Sequence, residues 1–113
     1  MLSYMKSKKQ KNLEKKINDI KQSLLELGDI RPGSLSKQIA GGPNRKPRQY
    51  WQLSYTYKMR SRTDYIRDEL VEQIENETLE YKKFKKLMEN LIEFSIQLSK
   101  EKIEIMKKLE KEN

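Results

Sequence analysis

Tyr50-Trp51-Gln52-Leu53-Ser54-Tyr55-Thr56-Tyr57 is the stretch that decides the fold. Its polarity alternates every second residue. An extended strand therefore carries Trp51, Leu53, Tyr55 and Tyr57 on one face and Tyr50, Gln52, Ser54 and Thr56 on the other. Arg62-Thr63-Asp64-Tyr65-Ile66-Arg67 reads as a second short strand, with Lys58-Met59-Arg60-Ser61 as the connecting turn, although no Gly or Asn-Gly pins its register. A two-stranded hairpin is marginal alone, so the Trp51/Leu53 face is expected to pack on helices or to pair with a second copy.

Both flanks of this hairpin read as helix. Upstream, Leu13, Ile17, Ile20, Leu24 and Leu27 follow 4-3-4-3 spacing, which lines them up on one helical stripe, and Gly28 is placed to close that helix. Downstream, Asp68 is a candidate N-cap, with Glu69 and Glu72 near the positive end of the helix dipole and Lys107, Lys108 and Lys111 near the negative end. Ile74, Tyr81, Phe84, Met88, Leu91, Leu98, Ile105 and Leu109 keep heptad spacing, and Leu87, Ile92, Phe94, Ile96, Ile103 and Met106 widen the apolar stripe. Such a helix would be roughly 65 Å long. The first helix, laid antiparallel beside its proximal part, would leave the distal half from Leu91 to Leu109 uncovered. A homodimer is therefore expected, with Phe84, Met88, Leu91, Phe94, Leu98 and Ile105 as the oligomerisation residues. Between the first helix and the hairpin, Arg31-Pro32-Gly33-Ser34 suits a type II turn and Gly41-Gly42-Pro43-Asn44-Arg45-Lys46-Pro47-Arg48 an exposed basic loop. The expected fold is α+β and mostly helical, two long helices flanking a basic β-hairpin in one domain that builds a dimeric bundle. Its parts are helix 1–28, basic loop 29–49, hairpin 50–67 and long helix 68–112.

Composition narrows the function. The chain has 113 residues, of which 35% are hydrophobic and 37% charged, so a large single-chain core and a large enzyme are not expected. With no Cys and no His, thiolate or imidazole zinc sites, disulfides and Ser-His or Cys-His nucleophiles are excluded. Asp64, Asp68, Glu69 and Glu72 resemble a divalent-ion cluster only loosely, and Glu69 and Glu72 are better explained as partners of a helix start. Gly41-Gly42-Pro43 is not a phosphate-binding loop. No catalytic residue, metal or cofactor is expected. No apolar run approaches the roughly 20 residues that span a bilayer, and Met1-Leu2-Ser3-Tyr4-Met5-Lys6 opens no secretory signal. The expectation is a cytoplasmic chain without a membrane partner.

Charge singles out the middle segment. Residues 1–30 carry 7 Lys against 4 acids (+3), residues 31–67 carry 9 Lys and Arg against Asp64 alone (+8), and residues 68–113 carry 9 Lys against 12 acids (−3). All six arginines lie in the middle segment: Arg31, Arg45, Arg48, Arg60, Arg62 and Arg67. Guanidinium offers a planar fork to phosphates and base edges and stacks on rings, which ammonium does not. The pattern points to a nucleic-acid partner, duplex DNA ahead of RNA. Arg31, Lys37, Arg45, Lys46, Arg48, Lys58, Arg60, Arg62 and Arg67 would supply the cations, and Tyr50 and Tyr55, or Tyr57 and Tyr65, the stacking surface. A β-ribbon fits a major groove, where Arg60 or Arg62 near the tip would reach guanine edges. The competing expectation is a helical adaptor or inhibitor that engages a partner protein through its Leu/Ile/Phe stripe.

Five ordered blocks carry a resemblance. They are Arg31-Pro32-Gly33-Ser34-Leu35-Ser36-Lys37-Gln38, Tyr50 to Thr56, Ser61 to Arg67, Tyr81-Lys82-Lys83-Phe84 and Leu91 to Leu98. Over residues 27–100 the chain resembles a family of short bacterial and archaeal proteins of unknown function, often encoded near transposases and other mobile elements. Members of that family carry cysteines in the loop before the first strand, where this chain has Ile39-Ala40-Gly41-Gly42-Pro43-Asn44. The resemblance implies the helix, hairpin, helix plan and a mobile-element or viral setting.

Overall fold

A computed structural model describes residues 6–112. In chain order the elements are α1 (Lys8–Leu25), β1 (Ser34–Ala40), β2 (Arg48–Tyr57), β3 (Arg60–Ile66), a 3₁₀ turn (Asp68–Leu70) and α2 (Val71–Glu112). The fold is α+β and mostly helical, as expected. Its residues group into two compact units, one of residues 27–84 and one of residues 6–26 with 85–112. The first five residues of the helix expected over 1–28 lie outside the described residues.

In the helical unit, Ser7 caps α1 by accepting the Gln10 backbone N–H on its hydroxyl at 3.0 Å. The expected stripe is real: Leu13, Ile17 and Ile20 are buried. They are joined by Gln10, only 2% exposed, whose side-chain nitrogen donates to Glu14 while its Oε1 has no hydrogen-bond partner among the described residues. The helix ends at Leu25 with Glu26 as its C-cap, earlier than Gly28. Ser7 and Lys9 reach Glu101, and the Lys16 ammonium sits 5.1 Å from the centre of the Phe94 ring, so α1 runs antiparallel to the distal part of α2. This corrects the expectation that α1 would cover the proximal half. α2 is unbroken from Val71 to Glu112.

In the other unit the sheet is a three-stranded antiparallel meander in the order β1-β2-β3, where the sequence suggested two strands. The extra strand comes from the segment read as loop. Its Ser-Leu-Ser-Lys-Gln-Ile run is too polar to signal a strand by itself. Pairing rescues it, because β2 has a second edge whose backbone groups need partners, and Leu35 comes to lie opposite Leu53 and Lys37 opposite Trp51. Across the other edge Trp51 pairs with Ile66 and Tyr57 with Arg60, so β3 starts at Arg60 and only Lys58 and Met59 form the turn. Both have positive φ, 51° and 64°, the conformation that a two-residue hairpin turn requires.

Leu53 is fully buried at the centre of β2 and forms a small core with Ile66 and Ile74, against which Leu35, Trp51, Tyr55 and Val71 pack. The proximal part of α2 thus covers one sheet face, the Trp51/Leu53 face the sequence assigned to packing. Gly33 makes this closure possible. Its φ is +135°, and a Cβ there would lie 2.9 Å from Leu53 Cδ1. The segment before β1 is tied to the same helix, since Arg31 N–H donates to the Glu77 carbonyl at 3.0 Å and Gly28 N–H to Glu80 Oε2 at 3.0 Å. At the start of α2 the cap position falls on Arg67, with no side-chain cap bond, and Asp68 instead opens the 3₁₀ turn beside Glu69.

Candidate nucleic-acid interface

The period of the strands decides which side chains can meet a ligand. On the face of the sheet turned away from the Leu53 core, β2 presents Arg48, Tyr50, Gln52, Ser54 and Thr56. The register brings Gln38 of β1 opposite Tyr50 and Tyr65 of β3 opposite Gln52. The rings of Tyr50 and Tyr65 stack diagonally across the two strands, 6.0 Å apart and 28° from parallel, and Tyr65 is 61% exposed. Ser34, Ser54, Thr56, Ser61 and Thr63 continue this face with small hydroxyls, all exposed. It is a flat surface of hydrogen-bonding groups around one aromatic pair, without an aliphatic side chain larger than Ala40.

Cations frame that surface at one end. Arg45 and Lys46 lie on the exposed 41–47 loop, which Gly41 enters at φ +153° and which is closed by a 3.0 Å hydrogen bond from Arg45 N–H to the Gly42 carbonyl. Arg48 begins β2 directly after this loop, and Arg67 leaves β3 with only a 4.0 Å contact to the exposed Glu69. These four charges and the Tyr50/Tyr65 pair share the loop end of the sheet.

The remaining expected site residues fall elsewhere. Lys58, Arg60 and Arg62 are at the β2–β3 turn, the opposite end of a ten-residue strand and hence about 30 Å from Arg48. By register Arg60 and Arg62 share the face of Tyr57 and Tyr55. The Arg62 guanidinium and the Lys58 ammonium lie 6.0 Å and 5.4 Å from the centre of the Tyr57 ring. Arg31 is spent on the fold: it pairs with Asp64, lies 4.8 Å over the Tyr55 ring and holds Glu77 through its backbone. Tyr55 is half-buried beneath it against the core, and Lys37 covers the Trp51 ring at 5.7 Å on the helix side. The basic residues that composition grouped as one patch therefore form two clusters at the two ends of the sheet. Gln38 and Gln52 were missed. The alternation of β2 already sets Gln52 on the face of Tyr50, whereas only the register of β1 on β2 brings Gln38 there and only that of β3 on β2 brings Tyr65 opposite Gln52.

The charge and shape of these surfaces limit their chemistry. Among the described residues no group of three or more acidic side chains is placed to hold a metal ion, and no helix is long and apolar enough to cross a membrane. The two carboxyls held below their ordinary value lie outside the interface. Glu14 is lowered by a hydrogen bond from Lys6 and then one from Gln10, and Glu80 by Lys83 and then the Gly28 N–H. A face of amides, hydroxyls and stacked rings flanked by guanidinium groups can accept phosphates at its edge and base edges or planes at its centre. Comparison of the chain with protein-family models, curated proteins and solved structures finds no match.

Proposed function

We propose that the chain is a non-catalytic nucleic-acid-binding protein that lays the open face of its sheet on duplex DNA. The observation that carries this reading is the Tyr50/Tyr65 stack between Gln38 and Gln52, edged by Arg45, Lys46, Arg48 and Arg67, on the face the core does not use. Two adjacent strands of the sheet, with axes about 4.8 Å apart, are narrow enough for the about 12 Å wide major groove, which admits a two-stranded ribbon. Glutamine amides there match the adenine donor and acceptor pair, and arginine matches guanine or a phosphate. Lys58 at the far turn would meet the phosphate backbone, whereas Arg60 and Arg62 stand on the opposite face of the sheet. The resemblance to proteins encoded beside mobile elements supports a setting in which short basic proteins meet DNA.

The test is a salt titration of binding to duplex DNA, single-stranded DNA and structured RNA, repeated with Tyr50→Ala/Tyr65→Ala and with Arg45→Ala/Arg48→Ala. Duplex DNA should bind most tightly and with the steepest salt dependence. The tyrosine variant should lose affinity with the slope unchanged, and the arginine variant should lose both. Equal, weak binding to all three polymers, or variants that bind like the parent, would overturn the reading. In that event the adaptor function gains, since Ile92, Ile96, Ile103 and Met106 stand half-exposed on α2 for a partner protein.

A further inference from the structure

Along the distal part of α2 runs an apolar row that α1 does not cover. Ile92, Ile96, Ile103 and Met106 are 55%, 50%, 50% and 48% exposed. Their spacing of 4, 7 and 3 keeps them on one stripe, about 175° around the helix from the side where Phe94 and Glu101 meet α1. The residues expected to mediate self-association lie elsewhere on the helix: Phe84, Met88, Leu91, Phe94, Leu98 and Ile105 are all partly buried within the chain. An exposed row of large apolar side chains on a helix this polar is costly in water unless something covers it.

The row has the symmetry of its own partner. Ser99, small and exposed, sits at its centre, with Ile92 and Met106 each seven residues away and Ile96 and Ile103 three and four away. The charges beside it are not symmetric. A shallow groove at one end is lined by Glu89, Ile92, Glu93, Ile96 and Lys100, and one at the other end by Ser99, Lys102, Ile103, Met106, Lys107 and Glu110. Glu89 and Lys107 lie on the same flank of the stripe, and among the described residues each pairs with an exposed local partner, Lys86 at 3.9 Å and Glu104 at 3.7 Å. Such pairs are weak and easily exchanged.

We propose that the occupant of this face is a second copy of the chain, packed antiparallel with the two-fold axis at Ser99. In this arrangement Ile92 meets Met106 and Ile96 meets Ile103. Measured from Ser99 along the axis, Lys107 lies at about 12 Å and the second copy's Glu89 and Glu93 at about 15 and 9 Å on the same side, so each lysine falls between two carboxylates. A parallel pair would instead put the Glu89/Lys107 flank of each copy against the partner's opposite flank, so Lys107 would not meet these carboxylates. Charge complementarity therefore selects the antiparallel dimer, and the selection does not depend on nucleic acid.

Since the chain has no cysteine, engineered thiols report the pairing without background. Sedimentation of the unmodified protein should give a dimer. Ile96→Glu/Ile103→Glu should weaken association about tenfold or more while leaving helical circular dichroism unchanged, because these residues do not face α1. Under oxidation Ser99→Cys should cross-link to itself. Ile92→Cys should not, its two copies being about 21 Å apart along the axis, yet it should cross-link to Met106→Cys in a mixture. Lys107→Glu should weaken the dimer, and Glu89→Lys/Glu93→Lys added in the same chain should restore it. A protein that sediments as a monomer at every concentration, or an Ile92→Cys variant that cross-links to itself as readily as Ser99→Cys, would overturn the proposal; the first outcome would leave the face to another protein and the second would make the pair parallel.

Discussion

Gly33 and Gln10 are the residues whose chemistry is least interchangeable. A side chain at Gly33 would meet both an unfavourable φ and the Leu53 methyl groups that fill the core, so Gly33→Ala should cost about 1–3 kcal/mol in urea denaturation. Gln10 is the opposite case, a buried amide in a row of aliphatic residues whose oxygen is without a partner among the described residues. Gln10→Met keeps the volume and removes the unsatisfied acceptor, and should stabilise the protein by about 1 kcal/mol in the same assay. Glu80 carries a pH signature. Lys83 and then the Gly28 N–H favour its ionised form, so the folded carboxyl titrates below its ordinary value of 4.5. A group depressed in this way contributes stability at pH values above the unfolded pKa and loses it as the pH falls through the folded one. Glu80→Gln should therefore flatten the acid side of the stability curve, by a small amount because solvent screens the pair, as thermal melts across that range would read.

Among the elements, the β2–β3 hairpin holds the most strain. Lys58 and Met59 both occupy the left-handed region that Asn and Gly adopt cheaply, and the Met59 side chain is 98% exposed, so nothing about its packing compensates. Lys58→Asn/Met59→Gly should raise the stability by about 1 kcal/mol, visible as a higher melting temperature with unchanged sheet signal. Any loss of DNA affinity in that variant would report the Lys58 charge, which a Met59→Gly control separates from the turn. The same hairpin explains why its register is illegible in the sequence: a turn of Lys-Met lacks the residues that announce it, and the cross-strand pairs of Tyr57 with Arg60 and Trp51 with Ile66 settle the pairing instead. β1 is illegible for a related reason, since its seven residues become a strand only when β2 offers an edge to pair with.

For the whole molecule, the excess of +8 in residues 31–67 equals the net charge of the entire chain, the two flanking segments cancelling at +3 and −3. The response of binding to salt should then come almost entirely from the sheet and its loops. Arg45→Ala/Arg48→Ala should reduce the slope of log K against log salt for duplex DNA by about 2, at about 0.9 for each phosphate no longer neutralised. A lysine change on the helix, Lys83→Ala, should leave it unaltered, for Lys83 already pairs with Glu80 at 2.9 Å. The sequence by itself determined the helical flanks, the β2 alternation with its Leu53 packing face, and the confinement of arginine to one segment, because each is written in spacing or composition within a few residues. Tertiary structure alone decided that α1 lies against the distal part of α2, that Arg31 serves the fold while Tyr65 and Gln38 share the face of Tyr50, and that the basic residues divide between two ends of the sheet. Those outcomes depend on strand register and on which helix face is already covered, and both arise from contacts between segments far apart in the chain.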